Sequence, residues 1–158
     1  MTREQIRTSG APAPGGAYSQ AIIANGFLYT AGTGPHDPAT GEVVGDTITE
    51  QTQQVLRNLS ALLAAQGLDF SDVVKVTTHL ADLHRDYDAY NAVYEQALPS
   101  PYPVRTTVGS TLDRKLVEID VEHRHGRAAH GGDTRQTEFF VAALASVVLR
   151  PRLPAALF

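Results

Sequence analysis

The chain has 158 residues and a mass of 17.0 kDa, the size of one domain. With 42% hydrophobic and 19% charged residues its composition is ordinary and globular, and the absence of cysteine removes disulfides, thiolate metal sites and a cysteine nucleophile. The net charge of −4 is unevenly placed: residues 1–126 carry 9 Lys/Arg and 15 Asp/Glu, whereas residues 127–158 carry 4 and 2.

An acidic body repels a phosphate backbone on average, so nucleic-acid binding is a weak expectation. The apolar run 139–149 is far shorter than the roughly 20 residues that span a bilayer. Met1 to Gln5 has no apolar stretch of the kind a signal peptide needs. These features predict a soluble, cytoplasmic protein with no membrane partner. Residues 1–126 would form the domain and 127–158 a C-terminal extension. The extension is polar and Gly-rich at first, then apolar, ending in Pro151, Pro154 and Phe158. It either caps the domain or a neighbouring subunit, or is an appendage.

In chain order, Ser9 to Ala17 is Pro/Gly-rich and reads as an irregular loop. Ala21 to Ala24 and Phe27 to Ala31 are β-type runs joined by Asn25-Gly26, a pair that tolerates positive φ at both positions, so a hairpin is predicted. Gly32 to Gly45 is a turn-rich loop with bends at Asp37-Pro38 and Thr40-Gly41. Thr47-Ile48-Thr49-Glu50 fits a capping box. Ile48, Val55, Leu59, Leu62 and Leu63 then recur at helical spacing, and Gly67 supplies the stop. Asp72 to Leu83 reads as a strand with Val74, Val76, Thr78 and Leu80 on one face. A second helix is predicted from Arg85 to Leu98, with Tyr87, Tyr90, Asn91, Tyr94 and Leu98 on one stripe and Pro99 and Pro101 beyond it. Val104 to Val108 and Leu116 to His123 are the last strands, split by the polar turn Ser110 to Arg114.

The order β-β-α-β-α-β-β predicts an α+β fold, a mixed sheet with two helices on one face. The other face lacks cover in a single copy, which predicts oligomerisation.

Several common sites are absent. There is no phosphate loop, no G-x-S-x-G elbow and no H-E-x-x-H helix. Gly32-Thr33-Gly34 follows a strand but opens no helix, so it is no dinucleotide fingerprint. Asn58-Leu59-Ser60 is a formal glycosylation sequon in mid-helix. His123 and His125, with His130 close in sequence, have a spacing that suits a metal, but solvated histidines at a strand end are commoner, and no metal site is predicted. His79 and His84 read as surface or interface residues.

The stronger pair is Arg105 with Glu118, each a charge inside an otherwise apolar or hydroxyl-rich strand. Burying an unpaired charge is costly. One reading is that the two neutralise each other across neighbouring strands. The other is that Arg105 offers its planar fork to the carboxylate of a small substrate, while Glu118 positions water or moves a proton.

Ala17-Tyr18-Ser19-Gln20-Ala21, Tyr29-Thr30-Ala31-Gly32, Thr40-Gly41-Glu42, Asn91-Ala92-Val93-Tyr94, Pro103-Val104-Arg105 and Val117-Glu118-Ile119 occur in an order that resembles the Rid family (RidA/YjgF), the reactive enamine/imine deaminases. The family's older label is endoribonuclease L-PSP. The resemblance covers roughly Gly10 to Glu122. It implies a homotrimer of subunits similar in fold to the bacterial chorismate mutase type, with clefts between subunits and neither metal nor organic cofactor. By that likeness Arg105 binds the substrate carboxylate, the backbone around Thr107 and Gly32 meets the imine end, Tyr18 and Asn91 shape the cleft, and Glu118 orients the attacking water. The implied substrates are small 2-aminoacrylate-like enamines and their 2-imino acid tautomers, released by pyridoxal-phosphate enzymes and hydrolysed to 2-oxo acids plus ammonia.

Three positions depart from the pattern: Thr107 stands where many deaminating members have cysteine, Ala31 where serine is common, and Ala17 where proline is usual. The turn between the last two strands is shortened, and nothing beyond Gly126 has a family counterpart. The competing readings are a pathway-specific imine hydrolase for a larger substrate and a non-enzymatic trimer that binds small molecules or acts as a chaperone-like surface. A ribonuclease is disfavoured by the acidic body and the lack of a basic aromatic stripe.

Overall fold

The computed structural model describes residues 2–124; His125, His130 and the extension lie outside the described residues. The first strand, β1 (Glu4–Ile6), is too short to show a period and was not legible in the sequence. The hairpin follows as β2 (Ala21–Ala24) and β3 (Phe27–Thr30), antiparallel with Ala24 opposite Phe27. Asn25 and Gly26 occupy the turn at φ 52° and 74°.

Helix α1 (Ile48–Ala64) starts at the expected capping box, in which the Thr47 side chain accepts from the Glu50 amide and Glu50 reaches back to the Thr47 amide. The Ile48, Val55, Leu59, Leu62 and Leu63 stripe is buried. Gly67, at φ 68°, ends the element by turning left-handed as its amide bonds Ala64 O.

A 3-10 turn at Phe70–Asp72 leads into β4 (Val73–Leu80). Val76, Thr78 and Leu80 face the core as expected, but Val74 does not. Val73 pairs with His123 and Lys75 with Glu122, so Val74 is the extra residue of a bulge and stands 42% exposed while Val73 takes the core place. Helix α2 (Leu83–Ala97) begins earlier than its apolar stripe suggests, because the Asp82 side chain caps it by accepting from the Arg85 amide. Tyr90, Tyr94 and Leu98 are buried, whereas Tyr87 lies at the edge of the stripe and is exposed.

The last strands are β5 (Val104–Gly109) and β6 (Val117–Arg124). The six strands form one mixed sheet in the order β1-β2-β3-β6-β4-β5. Only β4 and β5 run parallel, joined by α2 as the crossover such a pair requires. The α+β reading with both helices on one face therefore holds. Leu28, Val76, Leu80, Val117, Ile119 and Val121 bury against those helices. The alternate residues of β6, Glu118, Asp120 and Glu122, point to the other face, which no helix among the described residues covers. No helix among the described residues is long and apolar enough to cross a membrane.

Candidate active site

Arg105 lies at the edge of the sheet. Its register partner on β4 is Val76, a core residue, so the Arg105 side chain leaves the strand on the helix side and lies over α2. The tyrosine stripe of α2 receives it. The Arg105 Cζ stands 4.5 Å from the Tyr94 ring centre, 5.5 Å from Tyr90 and 5.9 Å from Tyr87, a cation–π arrangement. Nη2 donates to Asn91 Oδ1 at 2.8 Å and to Tyr87 Oη at 3.1 Å. The Asn91 amide is itself oriented, because its Nδ2 donates to Glu95 Oε1 at 2.6 Å.

The aromatic floor is neutral. Tyr90 Oη is hydrogen-bonded to Thr78 Oγ1 at 2.7 Å, and burial, reinforced by the neighbouring Tyr90, pushes the Tyr94 phenol up to about 12. Thr107, two residues after Arg105, faces the same side opposite Thr78. Asn91, Tyr94, Glu95, Tyr102, Pro103 and Arg105 line a groove of about 290 Å³. Among the described residues no carboxylate forms an ion pair with Arg105. The guanidinium is thus held in place by neutral groups, with no ion-pair partner among the described residues.

Glu118 occupies the opposite face. It alternates with the core residues Val117 and Ile119, and its Oε2 meets Lys115 Nζ at 2.9 Å. Gly32 is beside it: a Cβ there would fall 2.5 Å from Glu118 Oε1 and 2.8 Å from its Cδ, so only glycine admits the carboxylate this close to the chain. His36 lies next to Lys115 over Gly34. Burial and the Lys115 charge lower the His36 pKa, against the opposing pull of Glu118 and Glu42, which favours a neutral ring at pH 7. Tyr18, 55% exposed, accepts from the Gly15 amide at 2.9 Å and lines the same cleft of about 610 Å³.

Helix α1 holds this loop region through buried amides. Asn58 Nδ2 donates to Gly34 O at 3.0 Å and His36 O at 2.9 Å, and Gln51 binds Gly45 O at 2.9 Å while accepting from the Leu116 amide at 2.7 Å. The sequon asparagine is therefore a buried brace.

The reading in which Arg105 and Glu118 neutralise each other across neighbouring strands does not hold. Strand β4 lies between β5 and β6, and the two side chains leave opposite faces of the sheet. Tyr18, Gly32 and Glu118 line one cleft and Asn91 and Arg105 line another, with Thr107 on the same face of β5 as Arg105; among the described residues of one subunit the two clefts share no lining residue.

Sequence reasoning missed Lys115 and His36 at the first group and the clasp of Tyr94 and Glu95 at the second. A signal existed for Tyr94, which shares the i, i+3, i+4 stripe with Asn91. The reading of His123 as a solvated strand-end histidine is also corrected, since it is fully buried between Leu28 and Val73. Among the described residues no three His, Asp or Glu side chains converge as a metal site.

Comparison with known proteins agrees with this architecture. The family model for endoribonuclease L-PSP matches residues 8–123. A RutC family protein of Pyrococcus horikoshii is 44% identical over 120 residues, which cover 76% of this chain and 94% of that protein. A 2-iminobutanoate/2-iminopropanoate deaminase of Capra hircus is 41% identical over 122 residues, covering 77% of this chain and 88% of its own. The crystal structure of E. coli TdcF with bound serine superposes with a TM-score of 0.70 at 30% identity, covering 78% of this chain and 99% of that one. With its ordered motifs, its two-helix mixed sheet and these relatives, the chain belongs to the Rid family, whose older family name is endoribonuclease L-PSP.

Proposed function

We propose that this protein hydrolyses small 2-imino acids, and the enamines that tautomerise to them, to 2-oxo acids and ammonia. The cleft that does so is built between copies of the chain in a homotrimer. The observation that carries the reading is Arg105, a guanidinium fixed by Asn91 and the tyrosines yet lacking a counter-ion among the described residues. A cation held this way suits a ligand carboxylate, which the fork accepts through charge-assisted hydrogen bonds. The deaminase name of the Capra hircus relative and the serine in the TdcF crystal structure are in keeping with an amino-acid-sized ligand.

Assembly follows from the same geometry. Arg105 and Glu118 face apart in one subunit, so a substrate that uses both must lie between two. Strand β5 is a sheet edge that carries exposed Val104 and Val108, with exposed Tyr102 just before it, and a free apolar edge of that kind invites a partner. One copy would supply Arg105, Asn91 and Thr107, and its neighbour Tyr18, Gly32 and Glu118.

The chemistry asks little of the protein. The protonated imine carbon is already electrophilic, and the groups mainly orient it and screen it from bulk water. Water adds to C2, forming a C–O bond as Glu118 takes one of its protons. The proton passes to the nitrogen of the carbinolamine, the C–N bond breaks as the hydroxyl gives its proton back to Glu118 and becomes the C=O, and that second proton leaves with the ammonia as ammonium. Thr107 contributes its backbone at the imine end, a role for which the cysteine of other members is not required. The enzyme would act in the cytoplasm, beside the pyridoxal-phosphate enzymes that release such enamines.

The test generates 2-aminoacrylate or 2-aminocrotonate in situ with a pyridoxal-phosphate dehydratase and follows decay of the enamine/imine absorbance. Catalysed decay with release of the 2-oxo acid supports the proposal. No acceleration by folded protein refutes it.

A further inference from the structure

Lys115 reaches Glu118 by an unusual route. In extended chain, residues three apart leave opposite faces, so Lys115 and Glu118 would not ordinarily meet. Arg114, at φ 55°, turns the chain just before Lys115, and the Leu116 amide is pinned by Gln51 Oε1 at 2.7 Å. The bend places Lys115 Nζ 2.9 Å from Glu118 Oε2 with the two side chains only 17% and 28% exposed. The carboxylate oxygens are thereby divided. Oε2 is taken by Lys115, and Oε1 lies against the Gly32 backbone, where a Cβ would be 2.5 Å away.

We infer that Lys115 is a positioning residue for imine hydrolysis: by clamping Glu118 Oε2 it fixes the plane of the carboxylate and holds Oε1 beside Gly32, where it would orient the attacking water. This rests on the hydrolase reading above, in which Glu118 orients that water. Lys115 touches neither substrate nor water in this account and acts through Glu118 alone. A glutamate without the clamp has three rotatable bonds and room in the cleft of about 610 Å³, so Oε1 would spend much of its time away from the reacting carbon.

The role predicts a specific kinetic pattern. Lys115→Met should lower kcat about tenfold with KM within about twofold, because orientation is lost while the carboxylate anchor at Arg105 is untouched. Lys115→Arg, whose guanidinium can also reach Oε2, should recover most of the loss. In a Glu118→Gln background, Lys115→Met should add almost nothing, since residues that act through one another are not additive. The measurement is steady-state kinetics of 2-iminobutanoate decay for wild type and the four variants, with thermal melts and sedimentation to establish that each is folded and assembled.

Equal kcat in wild type and Lys115→Met overturns the inference. So does a rise in KM at constant kcat, which would make Lys115 a substrate-binding cation, or a full additional loss in the Glu118→Gln background. A wild type that does not accelerate decay overturns the hydrolase reading and this inference with it, whereas wild-type turnover with an undiminished Lys115→Met overturns the clamp alone.

Discussion

Replacing Arg105 is the sharpest single perturbation. Arg105→Ala removes the proposed carboxylate anchor, together with the hydrogen bonds to Asn91 and Tyr87 and the stack on Tyr94. Truncating one partner of a desolvated charge pair costs about 2–5 kcal/mol of binding. Expressed in kcat/KM, that is a fall of roughly 30- to 5,000-fold. Stability should change little, because the lost cation–π contacts, about 0.5–1 kcal/mol at sites of this exposure, are offset by removal of a cation with no ion-pair partner among the described residues. The Tm should therefore move by no more than about 4 °C. Arg105→Lys keeps the charge but loses the planar fork and the stack, so it should fall between wild type and alanine, chiefly through a higher KM. The assay is coupled decay of dehydratase-generated 2-iminobutanoate, with melting curves alongside. A kcat/KM for Arg105→Ala within threefold of wild type would refute the anchor role, and a collapse of folding or assembly would recast Arg105 as a structural residue.

Three further outcomes are expected. Gly32→Ala puts a methyl group where the Glu118 carboxylate lies, and since that side chain is flexible it should swing away, costing activity about tenfold while the melting temperature stays nearly constant; undiminished kcat would contradict this placement. Thr47→Ala breaks the capping box of α1 and should lower stability by about 1 kcal/mol in denaturant melts without changing turnover; an unchanged midpoint would refute it. Burial, opposed by Thr77 and His79 and reinforced by Glu122 and Glu118, raises the pKa of the Asp120 carboxyl. A raised carboxyl favours the folded state when protonated, so its contribution fades as pH climbs from the unfolded value of about 3.9 through the raised one. Asp120→Asn should flatten that decline and melt higher than wild type at pH 7, and an equal or lower melting temperature there would contradict the sign.

Local chemistry made much of this fold legible. Asn25-Gly26 specifies its hairpin because few residue pairs accept positive φ twice, and Thr47 with Glu50 specifies the start of α1 through bonds that span three residues. Arg105 and Glu118 stood out because a charge in an apolar strand needs a reason. What stayed hidden depends on long-range placement. Strand order puts β4 between β5 and β6, and register sets Arg105 beside the core residue Val76 but Glu118 beside His79, so two charges on strands consecutive in sequence lie on opposite faces. The bulge at Val74 reverses a side chain that simple alternation puts inward. Gln51, Gln54 and Asn58 are polar yet buried, since their partners are loop carbonyls supplied from elsewhere in the chain. Lys115 was invisible as a site residue because its approach to Glu118 needs the left-handed turn at Arg114, an unfavourable conformation that the residue type does not announce.

The central claim is that one site takes Arg105 from one copy and Glu118 from another, and subunit complementation tests it directly. Arg105→Ala and Glu118→Ala proteins, each inactive alone, are mixed in equal amounts, dissociated in mild denaturant and reassembled, and imine decay is then measured. Where an intact Arg105 from one variant meets an intact Glu118 from the other, a complete site forms, so random mixing should restore about a quarter of wild-type activity. A mixture that reassembles into mixed oligomers yet stays as inactive as its parents would contradict the account.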